Sequence, residues 1–298
     1  MPLTVPRVTD DRAAPIGVVG GSTGRQRLKR LLRACVPLPA RKRLAVWLGG
    51  RRWLSTRYWL VLELLRDFAE RDPNEFHRFL WSHHLAYAET YEVAERFGAE
   101  RVHATRRMLF DDVRRCLEQR GVAPARDVRS VLEIGCSLGY LLRHLETAMF
   151  LAADVLDGLD IDEYAVRVGE AHLRGLGSRV RLRVCDMGAL EHVAAPCRYD
   201  VTICAGVLLY LRQEEAARVV AATLRHTGVL AAFAGLAHPE RDNAELAHSA
   251  VRERDATFIH NVDAMVETAG GQVVFRRWEG PREVDGNTIY FVLATPRA

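Results

Sequence analysis

The 298-residue chain lacks any Cys-x-x-Cys pair, and none of its six cysteines (Cys35, Cys116, Cys136, Cys185, Cys197 and Cys204) has a histidine at metal-ligand spacing. That excludes the common zinc frameworks, and no metal is expected. No apolar run approaches the ~18 residues that mark a bilayer-spanning helix. Nor do the first thirty residues hold an unbroken apolar core of signal-peptide length, so a soluble, cytoplasmic, reduced protein is expected. Charge of one sign is also missing in bulk: 42 Lys+Arg stand against 38 Asp+Glu, a net charge of +4, and no nucleic-acid partner is expected from that balance. Lysine is nearly absent, with Lys29 and Lys42 the only two; the arginine bias by itself points to no function. What the chain does have is apolar mass, 49% of its residues, enough for one large domain or two modest ones.

Residues 1–24 are rich in Pro, Gly, Thr and Asp without periodicity and read as a flexible tail. From Arg25 to Arg52, ten Lys or Arg residues alternate with leucines and valines, interrupted by Pro37 and Pro39. This spacing predicts two short basic helices, either a solvated face or a surface for an acidic carrier protein or a membrane. Helical spacing continues to residue 125, with breaks at Asp72-Pro73-Asn74 and at Gly98, so residues 25–125 read as a basic, all-helical cap.

Past Pro124 the texture changes. Short apolar runs at 130–134, 155–159, 180–184, 200–205 and 228–233 alternate with amphipathic stretches at 140–150, 163–173 and 213–225. Strict alternation predicts an α/β domain over 126–298, a mostly parallel sheet with helices on both faces. A helix at 263–269 and strands at 272–277 and 288–294 complete seven strands, the last two as a terminal antiparallel hairpin.

The chemistry concentrates at the ends of these strands. In Glu133-Ile-Gly135-Cys136-Ser137-Leu-Gly139 a strand ends on an acid and turns through small residues into a helix, so backbone approaches a ligand closely. A nicotinamide site would show Gly-x-Gly-x-x-Gly instead. The segment resembles motif I of the class I, Rossmann-like S-adenosylmethionine-dependent methyltransferases, with Ser137 where the family carries its middle glycine. Twenty-one residues past Gly139, Asp160 ends the second strand, suited to accepting from two ribose hydroxyls, with Asp162 as the cap of the next helix. Asp186 ends the third strand. The resemblance implies that it accepts from the adenine amino group, with Ile161 and Met187 sandwiching the ring. The run Tyr199 to Leu211 is similar to the family's fourth strand, ending at Tyr210 where many members have histidine. The resemblance spans about residues 128–295 and implies an S-adenosylmethionine cofactor and S-adenosylhomocysteine as product. Cys136 and Cys204 flank the expected cofactor site and read as small packing residues, with no adjacent base to make either a nucleophile.

Methyl transfer is an in-line displacement that gains most from orientation in a dry pocket, and a strong base is optional. Tyr210 is a candidate to orient a nucleophile or accept its proton, with a buried structural role as the alternative. His260, in the loop region after the fifth strand with His238, Arg252, Arg254 and Asn261, is a candidate general base, unless this region merely caps the next helix. His84 and Tyr87 are candidates for the substrate pocket. The resemblance carries over Tyr87 and Tyr91, four apart on one helix face, as lid aromatics over the cofactor. A secondary-metabolite acceptor for N-, O- or C-methylation is expected. Cyclisation of the cofactor's aminocarboxypropyl group and a non-catalytic nucleotide-binding scaffold are the alternatives.

Overall fold

The apolar runs past Pro124 are too short for buried helices and apolar on both faces, so they form interior strands covered on each side. The computed structural model describes residues 35–51, 57–85, 96–98, 102–190, 198–252, 255–284 and 286–296. Its first elements are helices: α1 (Leu38–Gly49), α2 (Arg57–Arg71), α3 (Pro73–Ser82), α4 (Ala104–Gln119) and the single turn α5 (Pro124–Asp127). Alternation follows as β1 (Ser130–Ile134), α6 (Tyr140–Ala148), β2 (Val155–Asp160), α7 (Glu163–Gly175), β3 (Val180–Val184), β4 (Tyr199–Ala205), α8 (Gln213–Arg225) and β5 (Thr227–Gly235). A small hairpin of β6 (Ala250–Arg252) and β7 (Thr257–Ile259) precedes α9 (Val262–Thr268), β8 (Gly271–Val284) and β9 (Asn287–Pro296). The tail and residues 25–34 lie outside the described residues.

The main sheet has the order β3-β2-β1-β4-β5-β9-β8. The first five strands are parallel, and β9 runs antiparallel to both β5 and β8. This is the expected seven-stranded, mostly parallel Rossmann-like sheet with a terminal antiparallel hairpin. The chain leaves β1 in opposite directions toward β2 and β4, so a crevice opens at the C-terminal ends of these strands.

Alternate residues of each strand feed opposite faces. On β1, Val131 joins one apolar cluster with Leu142, Phe150 and Leu156, while Leu132 and Ile134 join another with Leu159, Val219 and Phe233. A third cluster, built on Val61, Leu65, Phe68, Phe76 and Leu80, belongs to α1–α3 and gives the N-terminal helices a core of their own. Two differences from the sequence reading concern this region. Pro39 does not break a helix but sits in the first turn of α1, where a missing N–H costs nothing. The break at Asp72 is a cap, its carboxylate accepting from Glu75 N at 3.2 Å, so α3 starts immediately after α2 ends.

α4 is fixed against the antiparallel edge. Asp112, 1% exposed, takes both prongs of the Arg277 guanidinium at 2.8 Å each, a bidentate pair that sets helix rotation as well as position. Arg106, on the same helix, is thereby aimed at the end of β4.

Candidate functional site

β1 ends on Glu133, and the next five residues turn back under β2. Gly135 N and Cys136 N both donate to Leu159 O, at 2.7 and 3.1 Å, and Gly139 N closes the turn on Cys136 O at 2.8 Å. Gly135 has φ +76°, and a Cβ there would stand 2.2 Å from Val207 Cγ2. Ser137 adopts φ +49° although it carries a side chain, a left-handed conformation costing about 1 kcal/mol. Its N–H donates to Asp160 Oδ2 at 2.7 Å, and Asp162 N donates to Asp160 Oδ1 at 2.9 Å. One carboxylate therefore ties the glycine loop to the start of α7.

The loop floors a cavity of about 210 Å³. Glu133, Gly135, Cys136 and Ser137 line one wall; Asp160, Ile161, Asp186 and Met187 line the next; Ala205, Gly206, Val207 and Tyr210 close it beyond β4. Its roof comes from α3, whose Asn74, His77, Arg78 and Trp81 follow one another at i, i+3, i+4, i+7 and so share a face.

Two buried polar atoms in the wall, Glu133 Oε2 and Ser137 Oγ, have no hydrogen-bond partner among the described residues. Buried polar groups in folded proteins are nearly always paired, so a polar ligand is the natural complement of these two. Burial pushes the Glu133 carboxyl up to about 8, against the nearby Arg106 guanidinium, which pulls it down. Asp160 is likewise raised by burial, to about 6. Asp186 Oδ1 caps the turn at 187–189, accepting from Gly188 N at 2.9 Å, while Oδ2 stands 3.3 Å from Arg78 Nη1. Acids thus stand at the ends of β1, β2 and β3 around one cavity, and they fit a ligand carrying a cationic amine, a diol and an aromatic amine.

Residues 131–228 match the family model of a methyltransferase domain. Those residues thus carry a methyltransferase domain, on a sheet with the Rossmann-like strand order given above. Among solved structures, the chain is similar to the magnesium protoporphyrin IX methyltransferase of Synechocystis PCC 6803 with bound SAM. Identity is 16%, covering 76% of this chain and 98% of that one, with a TM-score of 0.50. It is also similar to the CcbJ methyltransferase of Streptomyces caelestis, at 16% identity over 63% of this chain and 90% of that one, with a TM-score of 0.45. No curated protein matches the chain in sequence.

The chain has a second cavity, of about 330 Å³, beyond the ends of β4, β5 and β9. The two cavities share Arg106, Tyr140, Gly206 and Tyr210. The Tyr210 ring is held by His77 and Trp81, at centroid distances of 4.9 and 5.4 Å. His77 Nε2 lies 3.3 Å from Ala256 O, and burial lowers its pKa to about 4, so it is neutral at physiological pH. Arg106 Nη2 donates to Ala205 O at 2.9 Å.

Four expected site residues lie elsewhere. His260 lines neither cavity: its Nδ1 pairs with Ser249 Oγ at 2.6 Å, its Nε2 with Leu208 O at 2.9 Å, and it is 4% exposed. A base needs a free lone pair facing the acceptor, and both nitrogens here tie the hairpin region to the turn at 208–210. His260→Ala is expected to cost about 1–3 kcal/mol of stability by leaving those partners unpaired, lowering the thermal midpoint without shifting the pH profile of turnover. Cys204 lies behind the cavity wall, because strand alternation turns it into the core while Ala205 faces the ligand side; burial pushes its thiol to about 12. His84 is also absent from both cavities. Its Nδ1 meets Asp162 Oδ2 at 2.6 Å and its ring lies 4.2 Å from that of Tyr164.

Gly139 is not in the wall either; it caps α6, and a Cβ there would press on Leu182 and Leu173. Asp162 caps α7 through Ala165 N at 2.9 Å, and Asn261 caps α9 through Ala264 N at 2.9 Å. Tyr87, Tyr91 and Arg254 lie outside the described residues. Arg252 lines the second cavity, paired with Asp255 and 3.2 Å from Asn287 Oδ1.

Arg106, Tyr140, Asn74, His77 and Arg78 line the site without having been singled out from sequence. The stripe from Asn74 to Trp81 was a readable signal, being polar or aromatic at helical spacing opposite Phe76 and Leu80. Among the described residues no three His, Cys, Asp or Glu side chains gather at metal-binding distance, and no helix is long and apolar enough to cross a membrane.

Because Gly135 needs both a left-handed backbone and the space Val207 fills, Gly135→Ala is expected to abolish cofactor binding and cost about 1–3 kcal/mol of stability. Isothermal titration with S-adenosylhomocysteine and thermal unfolding measure the two effects. Val207→Ala in the same chain should relieve the clash but not the backbone strain.

Proposed function

We propose that this methyltransferase transfers a methyl group to a small-molecule nucleophile seated in the second cavity, with the cofactor in the first. The observation that carries this reading is the junction of the two cavities at Arg106, Tyr140, Gly206 and Tyr210. A volume of about 330 Å³ is on the scale of small-molecule sites. Its lining mixes Leu236, Ile289 and Phe291 with Arg252, Asn287 and Thr288, so an acceptor with an apolar body and a polar handle suits it.

S-adenosylmethionine supplies, when bound, an electrophilic methyl group on a sulfonium. In this reading Asp160 accepts from the ribose diol, Asp186 from the adenine amino group, and Ile161 and Met187 flank the base. Glu133 pairs with the amino end of the methionine moiety and Arg106 with its carboxylate. Ser137 Oγ, unpartnered in the wall, takes a further polar contact. Tyr210, gripped between His77 and Trp81, faces both cavities and orients the acceptor lone pair. Orientation and exclusion of water carry the rate. Neither His260 nor His77 acts as base in this scheme, since His260 is committed to structural bonds and burial, by lowering the His77 pKa to about 4, makes that imidazole a weak proton acceptor.

Incubation with S-adenosylmethionine and a broad metabolite panel, followed by mass spectrometry, tests it. S-adenosylhomocysteine formed together with a methylated acceptor is the expected outcome. Methylthioadenosine released from the cofactor alone would replace methyl transfer with cyclisation, and turnover of no compound would favour a scaffold.

A further inference from the structure

The two cavities differ in charge. Glu133, Asp160 and Asp186 line the first, whereas among the described residues no Asp or Glu lines the second, whose wall carries Arg106 and Arg252. Arg106 stands at the shared wall. Arg252 lines the second cavity alone, so its guanidinium belongs to the acceptor side.

Arg252 ends β6 and is oriented by its neighbours. Its Nε donates to Asp255 Oδ1 at 3.0 Å and shares that N–H with Thr257 Oγ1 at 3.2 Å, while Nη2 donates to Asp255 Oδ2. Nη1 donates at 3.2 Å to Oδ1 of Asn287, the first residue of β9. Asp255 is steadied in turn by β7, accepting from the Thr257 hydroxyl at 2.7 Å and from Thr257 N at 3.3 Å. A guanidinium carries five N–H groups. These contacts use three of them and leave one on each terminal nitrogen. Asp255 is not part of the cavity wall, and it occupies the Nε edge, so the remaining N–H of Nη2 points away from it. A guanidinium held this way is preorganised for a second planar acceptor.

Charge narrows what that acceptor is. In the reading above, Glu133 and Arg106 match the two ends of the cofactor's amino-acid moiety, and its sulfonium charge stays uncompensated. No acid in the wall of the second cavity answers that charge. An anionic acceptor does, whereas a cationic amine would meet repulsion. One guanidinium edge beside Leu236, Ile289 and Phe291 suits a monoanionic carboxylate on an apolar body, since a phosphate dianion would call for further cations.

We propose that the methyl acceptor is a small-molecule carboxylate, its carboxyl group held by Arg252 at the wall the cofactor cavity does not share and its nucleophile left at the junction. This inference rests on the two-cavity reading. Arg252 binds the acceptor and selects it by charge.

The test uses the full chain loaded with S-adenosylhomocysteine and a panel of aryl and alkyl carboxylic acids bearing a hydroxyl or aromatic amine, each beside its primary amide. By titration calorimetry the acids are expected to bind at least about tenfold more tightly than their amides. Arg252→Gln should weaken acid binding by about 10- to 100-fold and leave the amides and S-adenosylhomocysteine within about twofold. Arg252→Lys keeps a cation beside Asp255 and guards against a variant that merely misfolds; it should restore part of the acid preference, because a point charge lacks the planar edge. Amides bound as tightly as acids, equal loss of both in Arg252→Gln, or binding of no acid would overturn the inference. Turnover with S-adenosylmethionine separates it from the reading beneath it. Acids that bind through Arg252 but are never methylated would sink methyl transfer and leave the carboxylate site standing. Methylation of neutral compounds in preference to acids would do the reverse.

Discussion

Glu133→Gln is expected to make the ligand-free protein more stable and its cofactor binding both weaker and independent of pH. Burial holds this carboxyl at about 8 in the folded chain against an ordinary 4.5. Such a group favours the fold most below the lower value and progressively less as pH rises toward the higher one, so at neutral pH ionisable Glu133 costs stability. The amide carries no such penalty. A gain of a few kcal/mol is expected near pH 7.5, about 5 °C or more in the thermal midpoint, shrinking toward nothing near pH 4.5. Binding behaves in the opposite sense. At pH 6.5 Glu133 is protonated in the empty site, and pairing with the amino end of the cofactor requires the carboxylate, so binding releases about one proton. Native affinity for S-adenosylhomocysteine should therefore rise about tenfold per pH unit between pH 6 and 7.5. The variant should show no such slope, and at pH 7.5 should bind about 10- to 100-fold more weakly. Titration calorimetry in buffers of different ionisation enthalpy counts the proton directly. Equal proton release by both proteins would remove Glu133 from the amino-end assignment.

Arg106→Gln is expected to weaken S-adenosylhomocysteine binding by about 10- to 100-fold, the worth of a charge-assisted hydrogen bond to a carboxylate, and to leave methylthioadenosine binding within about twofold. The two ligands share the nucleoside and differ in the amino-acid end, so the difference isolates the group that Arg106 meets. Its guanidinium is aimed by the Arg277–Asp112 pair that fixes α4 and by the Ala205 carbonyl it grips, not by contact with the nucleoside walls. Equal loss for both ligands would mean that Arg106 merely supports the end of β4. Loss for neither would return the carboxylate to another partner.

The acids that surround the cavity were legible because a strand ending on a carboxylate is a local pattern. Glu133, Asp160 and Asp186 each close a short apolar run, and parallel pairing brings such ends to one edge whatever the loops do. The helix caps at Asp162 and Asn261 were legible for the same reason, since a cap depends on a few neighbouring residues. Arg106 was not, because α4 carries four arginines and only docking against β8 and β9 decides which one faces the cavity. Nor were the fates of His260 and His84. A histidine looks the same in sequence whether its nitrogens face a substrate or a carbonyl, and the β6–β7 hairpin that encloses His260 forms from segments too short to signal themselves.

By its sequence alone this protein is determined to be a mostly parallel α/β domain with acids closing three consecutive strands, since hydrophobic period and strand-end chemistry are short-range properties. The tertiary structure decided the roof, the second cavity, the junction at Arg106 and Tyr210, and the packing of α1 on α2. Each of these depends on the rotation of one packed element against another, which is set by buried pairs such as Arg277–Asp112 and Arg41–Asp67 between residues distant in the chain.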